Sequence, residues 1–286
     1  MSNMKPLIEQ SEIVAEMVDY GLIRSGLNRD AAYRAKDSRS AKEGTLMKQL
    51  SHTNIPYAVK DGRRGYLWPL VTGCAHGPDV CATSRTCWAR TGAHRNLPNM
   101  KQHYNPGFSP RVNVDLRCAP EHLKRPALIL VAFTGELFGD WVPPEMQFRA
   151  VLEAGALPQH TFVFLTKAPQ NMVRFNPWSP NCYPGTSITG AEPWRVQVAR
   201  YNALLRVEAK HRWLSYEPAL GPLVLSLFPG LSWLVIGAQS GKGAVRPDPI
   251  WVADAEATAT EAGIAVYRKP KLSQALGLAP REELPW

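Results

Sequence analysis

The chain has 286 residues, a hydrophobic content of 45% and a formal net charge of +9 at pH 7. This length suits one large α/β domain or two small ones, and the hydrophobic content suffices for a full core. The sequence shows no run of 18 or more apolar residues and no secretory signal, so we expect a cytoplasmic protein without a membrane span. Its five cysteines are an odd number, which argues against a disulfide framework and favours a metal site in a reducing compartment.

The first 60 residues show the apolar spacing of helices rather than of strands. An apolar stripe follows Ser11, which is a possible helix N-cap. Further helices are expected from residue 28 or 30 to residue 35, and over residues 41–50. We therefore predict a helical N-terminal extension over residues 1–60 and a main domain over residues 61–286.

From residue 66 onward, short apolar segments alternate with helical ones. The predicted strands are residues 66–72, 127–134, 161–166, 185–189, 212–216, 233–237 and 264–268, and the predicted helices are residues 144–154, 192–210 and 251–262. Most of these strands are rich in Val, Ile, Leu and Phe, as in a parallel sheet covered on both faces. The repeated β–α units predict an α/β fold, namely a partial (β/α) TIM-like barrel. Residues 91–125 lack such a pattern and are predicted to form a long loop or lid.

Three cysteines lie close together in a segment that is predicted to be a loop. Six residues separate Cys74 from Cys81, and five separate Cys81 from Cys87. Three thiolates around one point leave a metal position open, whereas a closed structural zinc site needs four protein ligands. A 4Fe–4S cluster held by three cysteines keeps one iron free for a small molecule. His76 is a possible fourth ligand, and with it the same loop would instead form a closed zinc site.

Polar or glycine-containing segments follow the predicted strands. In chain order they are Thr134-Gly135-Glu136, Lys167, Thr189-Gly190, Glu217-Pro218, Gln239-Ser240-Gly241 and Lys269. The carboxyl ends of parallel strands meet at one face of a barrel, and active sites are built there. We therefore expect these residues and the three cysteines to lie around one mouth.

The positive charge is concentrated in two regions of the sequence. Residues 24–64 contain ten Lys or Arg against four acids, and residues 85–125 contain eight against two. Regions with such a surplus attract polyanions, although a solvated basic face is an equally simple explanation. If the partner is DNA, we expect both regions to line one route to the mouth, with Arg90, Arg95 and Lys101 as candidate contacts.

Several motifs in this order resemble those of the radical-SAM superfamily. They run from Trp68 to Cys74, Cys87 to Ala89, Phe133 to Phe138, Leu165 to Pro169, Gly185 to Ser187, Leu214 to Gly221, Val235 to Gly241 and Val245 to Pro247. Within the superfamily they resemble a phage and prophage group of three-cysteine proteins of unknown function. The resemblance covers about residues 66–272 and leaves out the N-terminal 60 residues. The sequence departs from the pattern in its wider second cysteine gap, in Thr86 before the last cysteine, and in Gln239 in place of a glutamate.

The resemblance implies a set of cofactors and residues that bind them. Cys74, Cys81 and Cys87 would hold a 4Fe–4S cluster, whose free iron would bind S-adenosylmethionine. Glu136 would accept from the ammonium group of S-adenosylmethionine, and Gly135 would let the backbone approach its methionine moiety. The further cofactor-binding candidates are Thr134, Trp88, Ser187, Gln239 and Ser240.

Four more residues are candidates for the reaction itself. Lys167 and Glu217 would hold the ribose, the substrate or each other, although a structural ion pair is equally expected. Cys118 and Cys182 are candidates for returning a hydrogen atom to the substrate, or they are ordinary semi-buried thiols.

The function implied is that of a radical S-adenosylmethionine enzyme. It would generate a 5′-deoxyadenosyl radical and modify or rearrange a hypermodified pyrimidine base in phage DNA, inside a bacterial host cell. An electron donor such as flavodoxin or ferredoxin would be a partner. The alternatives are a radical-SAM enzyme that acts on a peptide or small metabolite, and a non-catalytic nucleic-acid-binding protein with a structural zinc.

Overall fold

The computed structural model describes residues 50–94, 108–112, 120–224, 229–241 and 243–286. Within these ranges there are eleven strands, which are β1 (Ser51–His52), β2 (Gly65–Trp68), β3 (Val71–Thr72), β4 (Arg111–Val112), β5 (Leu128–Val131), β6 (Thr161–Thr166), β7 (Cys182–Ser187), β8 (Trp213–Tyr216), β9 (Trp233–Ile236), β10 (Ala265–Arg268) and β11 (Arg281–Glu282). The helices in the same ranges are α1 (Pro56–Val59), α2 (Trp88–His94), α3 (Pro144–Gly155), α4 (Trp194–Leu205), α5 (Pro249–Glu261) and α6 (Pro270–Leu276). Short 3-10 helices occupy Lys60–Gly62, Pro120–His122 and Pro169–Phe175.

Nine strands form one mostly parallel sheet in the order β1-β2-β5-β6-β7-β8-β9-β10-β11. All neighbours from β2 to β10 are parallel, while β1 and β11 are antiparallel edge strands. The two edge strands do not pair with each other, so this part of the chain forms an open sheet rather than a closed barrel. The predicted mixed α/β class with a parallel sheet is confirmed.

The buried strands explain why apolar runs in the sequence indicate the parallel arrangement. Every residue of β5, β8 and β9 is buried, as expected where helices cover both faces of a sheet. The predicted strand over residues 161–166 matches β6, whereas the predicted strand over residues 66–72 is two strands separated at Pro69. The predicted helix over residues 192–210 is also shorter, because α4 begins after Pro193 and ends at Leu205.

A compact unit spans residues 49–286. The predicted helices before residue 50 lie outside the described residues. Residues 51–60, which the sequence pattern assigns to the helical extension, include β1, which pairs with β2, and α1. On α1, the Tyr57 ring lies 5.0 Å from the ring of Trp233 in the main core. None of the described helices is long and apolar enough to cross a membrane.

Trp213, the first residue of β8, is buried in the main core, and its indole ring packs against the neighbouring strand β7. Its indole N–H is shared between the carbonyl oxygens of Phe164 and Tyr183, each at 3.0 Å. The neighbouring residue on β7 is Gly185, and a Cβ built there would collide with the indole ring. The close approach of this ring to the strand therefore requires glycine at position 185.

We predict that Gly185→Ala lowers the free energy of unfolding by about 1–3 kcal/mol, because the buried indole ring has no space to move away. Urea denaturation measures the change. Gly77→Ala is the matched control, since a Cβ at this exposed position meets nothing within 4 Å. Equal unfolding midpoints for the two variants would contradict the packing described.

Candidate active site at the carboxyl edge of the sheet

The cysteine loop, which we define as residues 74–87, starts beside the segment that follows β5. The Gly73 N–H donates to the Thr134 carbonyl at 3.2 Å, and the Glu136 N–H donates to the Gly73 carbonyl at 3.2 Å. A Cβ on Gly135 would lie 2.5 Å from the Val71 carbonyl oxygen. Glycine at position 135 therefore lets this segment pack against β3, a structural role that sequence reasoning did not assign to it.

The three cysteines of the loop lie in one neighbourhood as free thiols. Cys74 and Cys87 pack against the same small apolar cluster, which is formed by Ala89 and Phe108. Cys81 is buried and close enough to influence the pKa of Cys74 electrostatically. Burial raises the pKa of the Cys74 thiol to about 11, so this thiol is protonated at neutral pH until a metal replaces the proton.

These thiols are suitable donors for a metal centre. Thiolates are the ligands that zinc and iron–sulfur centres select. Within the described ranges, no three His, Cys, Asp or Glu side chains stand in a ready-made metal-binding arrangement. The residues therefore fit a thiolate-bound centre in donor type, and binding would require the loop to draw its thiols together.

A buried carboxylate, that of Glu136, ties the cysteine loop to the sheet. Its Oε2 accepts from His76 Nε2 at 3.1 Å and from the Lys167 N–H at 3.0 Å. Its Oε1 accepts from the Thr166 hydroxyl at 2.6 Å and from the Phe138 N–H at 3.2 Å. Burial alone would raise the pKa of Glu136, but these bonds, led by the one from His76, hold it below its ordinary value.

This geometry gives Glu136 partners within the protein that the sequence did not indicate. A carboxylate offers about four acceptor positions, and four protein donors occupy them here. The carboxylate positions His76, two residues after Cys74, against the end of β6. Its expected contact with the ammonium group of S-adenosylmethionine stays a prediction.

Arg200 on α4 anchors the cysteine loop from the other side. This buried side chain donates to the Val80 carbonyl, directly before Cys81, and to the Ser187 carbonyl, each at 2.7 Å. Glu192 balances its charge at 3.3 Å. Sequence reasoning missed Arg200, because helical spacing does not indicate how far a buried arginine reaches.

The ion pair expected between Lys167 and Glu217 does not form in the described structure. The Glu217 carboxylate pairs instead with Lys269, whose ammonium lies 5.6 Å from the ring centre of Tyr57. No described carboxylate forms an ion pair with Lys167. The positive charge of Lys167 slightly opposes the rise in the pKa of the Cys74 thiol that burial causes.

The remaining cofactor-binding candidates are spread along the same edge. Ser187 is buried, and its hydroxyl donates to the Glu217 carbonyl at 3.5 Å. The amide of Gln239 donates to Thr86 Oγ1 at 3.3 Å, directly before Cys87. Ser240 is exposed, and the Trp88 ring is 61% exposed at the start of α2.

Several predicted site residues lie away from this edge or outside the described residues. Cys182 is fully buried at the first residue of β7, and burial raises its pKa to about 12. It lies at the amino end of a strand whose carboxyl end reaches the site, and its role in hydrogen-atom return stays a prediction. Arg90, by contrast, lies beside the cysteine loop, with its guanidinium 5.9 Å from the ring centre of Phe108, against which Cys74 and Cys87 pack. Cys118, Arg95 and Lys101 fall outside the described residues.

The fold and this edge define a mixed α/β protein with a thiol-bearing loop at the carboxyl ends of its parallel strands. The chain belongs to the family described as "Protein of unknown function (DUF5131)", which matches residues 63–271. No curated protein matches the chain.

Two solved structures are similar to this chain. Spore photoproduct lyase complexed with dinucleoside spore photoproduct matches with a TM-score of 0.50 and 13% identity, over 78% of this chain and 80% of the lyase chain. A mutant of spore photoproduct lyase matches with a TM-score of 0.48 and 13% identity, over 77% and 79% of the two chains. At this identity the first match establishes a similar fold.

We predict that Glu136→Gln lowers the free energy of unfolding by about 2–3 kcal/mol, because an amide cannot accept from all four buried donors. Urea denaturation of the metal-free protein measures this loss. Glu153→Gln is the control, since Glu153 makes an exposed pair with Arg149 and its replacement changes stability by about 0.5 kcal/mol or less. Similar losses in both variants would contradict the anchoring role of Glu136.

Proposed function

We propose that the chain is a radical-SAM enzyme that modifies a base in nucleic acid, with Cys74, Cys81 and Cys87 as the ligands of a 4Fe–4S cluster. The observation that carries this proposal is the loop of three free thiols held at the carboxyl edge of a parallel sheet. The similar fold of spore photoproduct lyase, a radical-SAM enzyme, supports it.

The chemistry that the cofactors supply when bound is one-electron cleavage of S-adenosylmethionine and removal of a hydrogen atom from the substrate. The protein's part is to bind, orient and exclude water. Glu136 and Arg200 restrain the two halves of the cysteine loop, so that the thiols stay at the strand ends. The exposed Trp88 ring and the Lys167 ammonium are the groups available to contact S-adenosylmethionine or the substrate. Flavodoxin or ferredoxin would supply the electron.

The substrate is proposed to be a pyrimidine base, already modified, in phage DNA. The surplus of positive charge in two regions of the sequence favours a polyanionic partner. The structure of spore photoproduct lyase with a dinucleoside photoproduct supports a nucleobase-like substrate. The atoms of a stacked base are out of reach of an enzyme's reacting group, so the target base must be flipped or single-stranded, which costs a few kcal/mol.

We predict that protein reconstituted with iron and sulfide under anaerobic conditions holds about four irons per chain. Cys74→Ala, Cys81→Ala and Cys87→Ala should each abolish iron binding, because three thiolates are the minimum set. Iron and sulfide analysis, with absorbance near 400 nm, measures the content.

Cys182→Ala is the control for loss of a thiol, since Cys182 is buried at the opposite end of β7. It should retain the full iron content. Iron bound equally well by all three loop variants would overturn the proposal.

One observation favours a second candidate, a structural zinc site. Histidines that bind zinc commonly donate their other ring nitrogen to a carboxylate, and His76 makes such a contact with Glu136. In that case His76 Nδ1 would join the three cysteines as the fourth ligand. The chain would then be a nucleic-acid-binding protein with a closed metal site.

The substitution His76→Gln separates the two candidates. Glutamine can still donate an N–H to Glu136 but does not replace an imidazole as a zinc ligand. We predict that this variant keeps about four irons per chain, because the cluster needs only the three thiolates. Elemental analysis decides between the two: stoichiometric zinc in the unchanged protein, and its loss in the variant, would favour the zinc site.

A further inference from the structure

A cavity of about 550 Å³ lies at the edge of the sheet opposite the cysteine loop. It is bounded by the residues that immediately precede β2 and β5. These strands are parallel neighbours, with Gly65 opposite Leu128, so their preceding residues meet at the amino edge. The cysteine loop follows the carboxyl end of the same part of the sheet, so the cavity is separate from the candidate active site.

Every charged side chain that lines this cavity is basic. The side chains are Arg63, Arg64, Lys124 and Arg125, and His122 and Tyr66 form part of the wall. The two arginines before β2 and the two basic residues before β5 are all exposed. None of these four forms an ion pair with a carboxylate in the described part of the chain. Their charges are therefore available to an anion from solvent.

One end of each basic region of the sequence lies at this cavity. Arg63 and Arg64 end the first region, while Lys124 and Arg125 end the second. The sequence-based expectation that the two regions line a route to the mouth stays a prediction, since Arg90 of the second region lies beside the cysteine loop and the ends named here lie at the opposite edge. Arg63 is held in place by Trp286, with its guanidinium 5.7 Å from the ring centre, so part of this cationic surface is preorganised.

We propose that this cavity binds the phosphate backbone of a nucleic acid. Four cations from two segments face one opening, which suits successive phosphates along a strand better than one compact anion held by converging donors. The long basic side chains are exposed, as for contacts that position a backbone without reading its sequence. This inference rests on the proposed nucleic-acid substrate and adds a binding site away from the reacting base.

The test is salt-dependent binding of a labelled single-stranded oligonucleotide to the full chain. In the triple variant Arg64→Gln, Lys124→Gln and Arg125→Gln, the slope of log affinity against log salt should become shallower by about 2, about 0.7 for each phosphate that the variant no longer neutralises on a single strand. Affinity at moderate salt should fall at least about tenfold. Iron content should not change, because the cavity lies at the other edge of the sheet.

The control variant removes the same charge elsewhere, with Arg149→Gln, Arg174→Gln and Arg206→Gln, which are exposed positions outside the cavity. Its slope should stay close to that of the unchanged protein. Arg64→Gln alone, with an expected change of about 0.7 in slope, serves if the triple variant does not fold.

The possible failures are distinguishable. If the unchanged protein binds the oligonucleotide and the cavity variant has the slope of the control, this inference is wrong and the nucleic-acid substrate remains supported. If the unchanged protein does not bind at low salt, the nucleic-acid part of the proposed function is wrong together with this inference. The iron content of the cysteine variants decides the cluster in either case.

Discussion

The carboxylate of Glu136 lies buried between the cysteine loop and the ends of β5 and β6, where an isolated charge would be strongly unfavourable. Four hydrogen-bond donors stabilise the buried charge. They come from the loop (His76), from the segment after β5 (Phe138) and from the end of β6 (Thr166 and Lys167). Because one group satisfies all of them, these segments are held together as a unit. The Arg200 side chain holds the other half of the loop in place, because it donates to the Val80 carbonyl.

Much of the fold could be predicted because each buried strand appears in the sequence as its own run of apolar residues. Strands buried on both faces need continuous apolar runs, which is why β6 was found with its bounds unchanged. The ion pairs at the candidate site could not be predicted from apolar runs. Lys167 and Lys269 both follow strands, and neither spacing nor composition indicates that Glu217 pairs with the second. The hydrogen bonds to Glu136 could not be predicted either, because their donors come from segments that only the folded sheet brings together.

The two edges of the sheet divide the chemistry of the chain. The carboxyl edge carries the thiols and the ordered motifs, while the amino edge carries a cavity lined with basic side chains. Parallel strands β2 and β5 connect the two, so a polyanion held at one edge would have a defined distance to the other. In the proposed arrangement, the backbone is held by charge at the amino edge and a flipped base reaches the carboxyl edge. Affinity and reactivity then depend on different residues.

The measurement that tests the central claim most directly is cleavage of S-adenosylmethionine by the reconstituted protein. Protein loaded anaerobically with iron and sulfide is mixed with S-adenosylmethionine and dithionite, and the products are identified by mass spectrometry. The account predicts methionine and 5′-deoxyadenosine in amounts that exceed those from protein carrying Cys81→Ala. Stoichiometric zinc, with no iron uptake and no cleavage of S-adenosylmethionine, would contradict it.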